Sequence, residues 1–188
     1  MKAMIEQEFL DSINLKQKLL PLATETLAEM AEKIVQSFKN SGKLLIFGNG
    51  GSAADAQHIA GELVGRFKVE RKALPCIALT TDTSIITAVA NDYDFGSIFA
   101  RQVEGLARKG DVILAISTSG NSPNVIRGLT MAREIGCVTL AFGGKDGGQM
   151  LKLADLAIIV PSNNSPRIQE GHILLAHTLC LLVEAAFA

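Results

Sequence analysis

A histidine and a glutamate four residues apart, His58 and Glu62, are the first pair of side chains here that could do chemistry. They lie in the Ala-rich stretch SAADAQHIAGE, which predicts a helix, and their spacing places both on one helical face. An imidazole beside a carboxylate suits either a divalent metal ion or a proton-transfer pair. We therefore interpret this helix as one wall of a small-ligand site.

The C-terminal sequence adds a second group of polar residues to an apolar helix, namely Gln169, Glu170, His172 and His177. A histidine in such a helix is usually a hydrogen-bonded core residue, but the group could also share a site with the first pair. Gln169 and His177 are eight residues apart, about 12 Å of rise and about 80° of rotation in a regular helix. Both reach one ion only with extended side chains, or if the turn at Gln169 is not helical. Which histidine points into the site stays open.

A hydroxyl-rich loop follows an apolar segment and has the sequence STSGNSPN, residues 117–124. Ser122 precedes Pro123 as an N-cap precedes the first residue of a helix. The helix that begins there offers free N–H groups and a positive dipole end to an anion. One serine would be explained by capping, but four hydroxyls favour a phosphate held without Lys or Arg. We name residues 117–122 the hydroxyl loop.

A glycine turn comes earlier, after another apolar segment, and comprises Gly48, Asn49, Gly50, Gly51 and Ser52. With Ala53 it fits the G-x-G-x-x-G/A pattern of dinucleotide-binding proteins. The acid at the required spacing, Glu70, precedes the next strand instead of ending it, which argues against a dinucleotide. No P-loop sequence occurs. We interpret the turn as a backbone wall against the hydroxyls of a sugar.

Strands and helices that could position these residues alternate from residue 43 onward. Apolar runs predict strands at 43–47, 75–79, 111–116, 137–142 and 156–160. Helices are predicted near 53–66, 84–90, 96–108, 123–135, 147–153 and 165–187. This alternation is typical of an α/β fold, a three-layer αβα doubly wound sandwich with about five parallel strands. Its ligands lie beyond the carboxyl ends of the strands. A third polar group follows strand 75–79 and comprises Thr80, Thr81, Asp82 and Thr83 and, past a short helix, Asn91 and Asp92.

Two further helices are predicted before the first strand. One covers residues 1–20 and ends before Pro21, and the second begins at Thr24 as its N-cap and stops at Gly42. They either cover one face of the sheet or pack against another subunit. The chain is predicted to form a single domain, 1–188, with 1–42 as an N-terminal helical extension packed on it.

Composition narrows the classes of protein further. Of 188 residues, 48% are apolar and 20% charged, with a formal net charge of -1. This balance argues against disorder and offers no basic surface for nucleic acid. No apolar run has the length of about 20 residues that spans a bilayer, and the N-terminus lacks the apolar core of a signal peptide. Cys76, Cys137 and Cys180 are predicted to be buried reduced thiols, and the protein to be cytoplasmic.

Four motifs together resemble the sugar isomerase (SIS) domain family: GNGGSAADAQHIAGEL at 48–63, NDYDFG at 91–96, STSGNSPNV at 117–125 and RIQEGHILLAH at 167–177. Within the family they are most similar to isomerases of heptose phosphates. The resemblance implies conversion of sedoheptulose 7-phosphate to D-glycero-D-manno-heptose 7-phosphate in bacterial lipopolysaccharide core biosynthesis. It also implies a homotetramer with active sites near subunit interfaces, and neither nucleic acid nor membrane as a direct partner.

The resemblance also implies site residues. One Zn²⁺ per subunit would be bound by His58, Glu62, Gln169 and His177. Substrate contacts would come from Asn49, Gly50, Gly51, Ser52, Glu62, Asn91, Asp92, Ser117, Thr118, Ser119, Ser122 and Gln169. Our hypothesis makes Glu62 the base for the carbon-bound proton, His177 the acid–base partner on oxygen, and zinc a Lewis acid. Two alternatives remain: a non-catalytic sugar-phosphate-binding scaffold that binds the replication initiator, and an isomerase of another ketose phosphate.

Overall fold

A computed structural model describes residues 1–188 and contains six helices and five strands. In chain order they are α1 (Lys2–Lys39), β1 (Leu44–Gly48), α2 (Gly51–Val64), β2 (Cys76–Ala78), α3 (Thr83–Asp92), α4 (Ile98–Leu106), β3 (Val112–Ser117), α5 (Pro123–Ile135), β4 (Val138–Gly144), β5 (Leu156–Val160) and α6 (Ser165–Ala185). The predicted alternation of strands and helices is confirmed, with most boundaries shifted by one or two residues.

The five strands form one parallel sheet in the order β2-β1-β3-β4-β5. Leu44 of β1 pairs with Cys76 on one side and with Val112 on the other. Chain order therefore reverses between β1 and β3, and ligands of such sheets bind outside the carboxyl ends of the strands at this reversal. The glycine turn follows β1 and the hydroxyl loop follows β3, so both flank the reversal.

Helices cover both faces of the sheet, which confirms the three-layer α/β sandwich. Successive side chains of a strand point to opposite faces. Leu44 and Ile46 accordingly belong to a core with residues of α1, α2 and α6, whereas Leu45 and Phe47 belong to a second core with residues of α4 and α5. The helix that carries His58 thus lies on the same side of the sheet as α6.

The prediction of two N-terminal helices is wrong, because α1 is a single helix from Lys2 to Lys39 with Pro21 inside it. A proline in a helix removes one hydrogen bond, here the bond to the carbonyl of Gln17. Gln17 is exposed, so solvent can satisfy that carbonyl. The lost hydrogen bond therefore leaves no buried carbonyl without a partner.

Packing on the opposite side explains why the helix continues. Leu19 and Ala23, on either side of the proline, are both buried in the core shared with α6. Thr24 is not an N-cap, since its hydroxyl donates to the carbonyl of Leu20 at 2.7 Å. The buried apolar face of α1 thus outweighs the two local signals for a break.

A smaller difference concerns the helix predicted at 147–153, where the structure has a short 3-10 turn, Gln149–Lys152. Gly147 and Gly148 precede it with φ values of 80° and 55°, a conformation that a regular right-handed helix excludes.

The three cysteines are buried and none forms a disulfide, as predicted. No helix combines the length and the apolar character that crossing a membrane requires.

Candidate active site

Three predicted ligand residues meet between α2 and α6. The Nε2 atoms of His58 and His177 lie 2.9 Å apart, although 119 residues separate them in sequence. Glu62 Oε1 lies 3.2 Å from His58 Nε2. The potential ligand atoms of all three residues lie within 4.8 Å of one another. We name His58, Glu62 and His177 the His-Glu-His cluster.

The cluster fits a zinc-type ion by its donor set and its spacing. Two imidazole nitrogens and a carboxylate oxygen are a known catalytic zinc set that leaves a fourth position open. Ligand atoms about 2.0–2.2 Å from a tetrahedral zinc lie about 3.3–3.6 Å from one another. Two of the three separations, 2.9 Å and 3.2 Å, are close to this range, and the third lies within 4.8 Å. Both side chains of α2 are partly exposed, His58 at 45% and Glu62 at 25%, so an ion and a substrate can reach them.

Gln169, the fourth predicted ligand, lies in the first turns of α6. The helix is regular from Ser165 onward, so the non-helical alternative for the turn at Gln169 does not apply. The side-chain amide of Gln169 instead lies against Gly51 at the start of α2, where a Cβ on that glycine would collide with it. The structure brings His58, Glu62 and His177 together, and Gln169 as the fourth ligand stays a prediction.

His172 is a core residue, which decides between the two histidines of α6. Its side chain is fully buried, and Nε2 lies 3.0 Å from the carbonyl oxygen of Gly143. Burial lowers the pKa of His172 to about 4, and the contact with Gly143 offsets only part of this effect. The neutral imidazole packs on the ring of Phe142, so it is His177 that points into the site.

The hydroxyl loop has the geometry of an anion site. Ser122 is the N-cap of α5 with Pro123 in the first turn, as predicted, yet its hydroxyl makes no capping hydrogen bond. Ser117 and Ser119 use their hydroxyl oxygens only as acceptors, from the N–H groups of Gly120 at 3.1 Å and of Asn121 at 3.2 Å. Their hydroxyl protons are therefore free to donate hydrogen bonds to a ligand. A phosphate bound at the start of a helix accepts hydrogen bonds of this kind.

Gly120 holds this loop against the loop after β4. Its φ of 64° lies in the left-handed region, and a Cβ there would collide with the carbonyl of Gly147. Its own carbonyl accepts from the N–H of Met150 at 2.9 Å. Thr118 is partly buried in the same loop and forms no side-chain hydrogen bond. The close approach of two backbones explains why glycine occupies this position.

The glycine turn is tied to the hydroxyl loop by a residue that the sequence reading did not select. Asn49 and Asn124 exchange two side-chain hydrogen bonds, each 2.8 Å long. Asn124 is buried at the second position of α5, directly after the loop. Gly50 is exposed with a φ of 56°, whereas Ser52 is buried. Asn124 comes two residues after the last hydroxyl residue of the loop, and this position was a signal that could have identified it as part of the site.

Asn91 and Asp92 end α3, on the face of the sheet opposite to α2 and α6. Both are exposed, and the Asn91 amide donates to the Asp92 carboxylate at 2.8 Å. Asp94 nearby accepts two hydrogen bonds from Arg127 of α5, at 2.8 and 2.9 Å. The structure thus fastens this segment to the helix that starts at the hydroxyl loop, but it does not bring Asn91 or Asp92 into contact with the His-Glu-His cluster.

Asp55 is a second polar residue that the sequence reading missed. It precedes His58 by three residues, and its Oδ2 is buried with no hydrogen-bond partner. Burial raises the pKa of Asp55 to about 6, and the proximity of His58 opposes this shift. The spacing of Asp55, His58 and Glu62 along one helical face was a signal that could have identified it.

Comparisons with known proteins agree with the fold and with these motifs. The family described as SIS domain matches residues 8–144. The chain is 55% identical over 184 residues to the phosphoheptose isomerase of Trichlorobacter lovleyi, covering 98% of this chain and 94% of that protein. It is 51% identical to the phosphoheptose isomerase of Helicobacter pylori, with 98% and 96% covered.

A solved structure gives the same result. Phosphoheptose isomerase from Neisseria gonorrhoeae superposes with a TM-score of 0.92 at 42% sequence identity, covering 98% of both chains. The matched length includes α1 and α6 as well as the sheet. The chain therefore belongs to the SIS domain family and, within it, to the phosphoheptose isomerases.

Proposed function

We propose that the chain interconverts sedoheptulose 7-phosphate and D-glycero-D-manno-heptose 7-phosphate, a step that supplies heptose for lipopolysaccharide core. The observation that carries the proposal is the convergence of His58, Glu62 and His177, in a chain 55% identical to a phosphoheptose isomerase. A scaffold that only binds sugar phosphates needs an anion site, but it has no need of this second cluster. We therefore favour the enzyme over the scaffold.

Substrate binding is assigned first to the hydroxyl loop. Ser117, Thr118, Ser119 and Ser122 would donate hydrogen bonds to the phosphate, together with free N–H groups at the start of α5. No Lys or Arg lies in this loop, so hydroxyls and backbone dipoles carry the binding. The sugar hydroxyls would meet further polar groups, namely Asn49, Gly50, Gly51, Ser52, Asn91, Asp92 and Gln169.

The reaction moves a proton between C1 and C2 through an enediol, which needs a base at carbon and an acid–base group at oxygen. Glu62 fits the first role, because only its Oε1 contacts His58 and its side chain makes no other contact to a polar side chain. The free Oε2 would take the carbon-bound proton from one carbon and return it to the other. His177 is the predicted acid–base partner on oxygen, and its Nε2 lies in the same space. A nitrogen that binds zinc cannot also carry a proton, so His177 would fill this role only while its Nε2 is not bound to the metal.

Zn²⁺, one per chain, would be held by His58, Glu62 and His177, with Gln169 as the predicted fourth ligand. When bound, it would polarise the substrate carbonyl as a Lewis acid. Glu62 is predicted to be both ligand and base, and this is compatible with the geometry only if one carboxylate oxygen serves each role. Oε1 faces the histidines and Oε2 then remains for the proton.

The test is incubation of purified protein with sedoheptulose 7-phosphate and zinc, with product analysis by NMR. We expect the aldoheptose phosphate to form and a chelator to stop its formation until zinc is restored. In deuterated water the proton on C2 of the product should exchange in part, as an enediol intermediate requires. Absence of conversion in the presence of zinc, with ligand-induced thermal stabilisation retained, would favour the scaffold. Incubation with fructose 6-phosphate tests the alternative that the chain isomerises another ketose phosphate.

A homotetramer is the assembly we propose, and an apolar groove between α1 and α6 supports it. The groove has a volume of about 480 Å³ and is lined mainly by apolar side chains, including Leu19, Leu20, Leu27, Leu174 and Leu182. The first turns of α1 also expose large apolar residues, among them Met4, Phe9 and Ile13. Exposed apolar surface of this extent is typical of contacts between subunits.

The double variant Leu20→Glu, Leu174→Glu should break this assembly, because two charges per chain would have to be buried at the subunit contact. We expect light scattering to give about 80 kDa for four chains of 20.0 kDa in the wild type, and a smaller mass for the variant. Gln17→Glu adds a charge to α1 outside the groove and serves as the control. A monomeric wild type, or an unchanged mass of the variant, would contradict the proposed groove contact.

A further inference from the structure

Residues 65–75 connect α2 to β2, and Glu184 near the end of α6 fastens this connecting segment. The carboxylate of Glu184, with a residue exposure of 2%, accepts hydrogen bonds from three successive backbone N–H groups. These belong to Phe67 at 2.8 Å, Lys68 at 2.7 Å and Val69 at 3.2 Å. Successive N–H groups of this kind form a concavity that binds an anion. The backbone of Phe67 is therefore fixed by a residue 117 positions later in the chain.

Arg71 completes this arrangement and extends it to α2. Its side chain is 1% exposed, and its Nε lies 3.5 Å from Glu184 Oε1. Its Nη2 donates to the carbonyl of Glu62 at 2.8 Å, and its Nη1 donates to the carbonyl of Gly65 at 2.9 Å. Arg71 thus neutralises Glu184 and satisfies carbonyls at the C-terminus of α2, in the turn that carries Glu62.

Glu184 is ionised in this setting. Burial by itself would raise its pKa, but the three N–H groups and the Arg71 guanidinium outweigh burial and hold the pKa below its usual value. A charged Glu184 is what the three donors and the guanidinium require. Glu184 and Arg71 therefore form a buried ion pair with a charge on each partner.

Phe67 connects the fastened segment to the His-Glu-His cluster. Its ring stacks on the His177 imidazole, with 5.7 Å between ring centroids and 25° between planes. The only hydrogen-bond contact of the His177 ring is the one between its Nε2 and His58. Metal-binding histidines are usually oriented by a hydrogen bond from the other ring nitrogen. In this chain the aromatic contact from Phe67 takes the place of that hydrogen bond.

We propose that Glu184 is a positioning residue, which holds Phe67 against His177 and so sets the orientation of that imidazole for metal binding and proton transfer. The expected effect of Glu184 on turnover rests on the proposed function. Its effect on the imidazole and on metal affinity does not depend on the substrate. A purely structural role for the Glu184–Arg71 pair would change stability and leave the His177 ring as it is.

Phe67→Leu is the first test, because leucine keeps apolar volume but offers no ring face. We expect kcat to fall about tenfold and the zinc dissociation constant to rise about tenfold, at the lower end of what outer-shell partners of metal-bound histidines contribute. KM for the sugar phosphate should stay within about twofold, since Phe67 does not touch the hydroxyl loop. Phe67→Tyr retains a ring and should restore kcat and zinc affinity to within about twofold of the wild type.

Phe187→Leu is the matched control, since the aromatic partner of that ring is Phe38 and not a histidine, and it should change neither quantity. Zinc affinity is measured by competition with a chromophoric chelator, and ring orientation by the NMR signals of the three histidines in metal-free protein. Phe67→Leu should shift the His177 signal and leave the His172 signal in place. These two readouts remain informative if the wild type fails to convert sedoheptulose 7-phosphate, so the two proposals can fail separately.

Glu184→Gln then tests the route through Phe67. We expect it to lower zinc affinity in the wild type but to add little in the Phe67→Leu background, because both changes remove the same support. If Glu184→Gln lowers zinc affinity equally in both backgrounds, Glu184 does not act on His177 through Phe67. The proposal is also overturned if the Phe67→Leu protein has wild-type kcat, zinc affinity and His177 signal. If Glu184→Gln does not fold, Glu184→Asp takes its place in the same comparison, because it keeps the charge but shortens the reach to the three N–H groups.

Discussion

The variant Glu62→Gln should lose turnover by about 10³-fold while retaining its fold and assembly, in line with the contribution of a general base. Glutamine keeps the shape of the side chain and one carbonyl oxygen, but it cannot accept the carbon-bound proton. The loss corresponds to about 4 kcal/mol of transition-state stabilisation. The measurement is kcat with sedoheptulose 7-phosphate, with circular dichroism and light scattering to verify the fold and the assembly.

Glu134→Gln is the control for this variant, since Glu134 is exposed on α5 and belongs to the other side of the sheet. It should retain wild-type kcat. Zinc content separates the two roles of Glu62: an inactive variant that still binds zinc has lost the base, and one that has lost zinc has lost a ligand. Near wild-type turnover of Glu62→Gln would rule out Glu62 as the base.

Acidification below pH 6.5 should destabilise the protein through His172. The pKa of His172 falls from 6.5 to about 4 in the fold, so between these values the unfolded chain binds a proton that the folded chain does not. Stability is therefore present above pH 6.5 and is lost as the pH falls towards 4, by up to about 3 kcal/mol. Denaturant unfolding of the wild type and of His172→Gln at a series of pH values measures this slope as the difference between the two proteins.

His172→Gln cannot titrate, and the slope due to His172 should be absent from its pH profile. Asp55 acts with the opposite sign, because its folded pKa of about 6 exceeds its unfolded value of 3.8. The folded chain binds its proton first, so this residue adds stability as the pH falls from 6 towards 3.8. Asp55→Asn isolates that contribution. A pH profile of His172→Gln that is identical to the wild type would contradict the assignment.

Local spacing was enough to predict the features that depend on neighbouring residues. The spacing of four residues places His58 and Glu62 on one face of α2, whatever that helix packs against. In the same way, Ser122-Pro123 marks the start of α5 without reference to its packing partners. The parallel sheet then follows from apolar strands that alternate with helices, and it brings the glycine turn and the hydroxyl loop to one edge. These predictions required no knowledge of tertiary contacts.

Features that depend on distant contacts could not be predicted in this way. Glu184 and Phe67 are 117 residues apart, and Asn49 and Asn124 are 75 residues apart, so no pattern in either segment indicates its partner. Pro21 predicts a break because its local effect on a helix is unfavourable. Burial of the flanking face of α1 reverses that outcome, and burial becomes visible only in the folded chain.

The side-by-side packing of α2 and α6 also restricts how the length of this chain can change. Both helices start at the carboxyl edge of the sheet, and they contact each other through Gly51 with Gln169 and through His58 with His177. Seven residues separate the two positions in α2 and eight in α6, about 10.5 and 12 Å of rise. An insertion or deletion of one residue within either interval would rotate the second contact by about 100° and separate the histidines. We therefore expect changes in chain length to be tolerated in the loops but not within these two intervals.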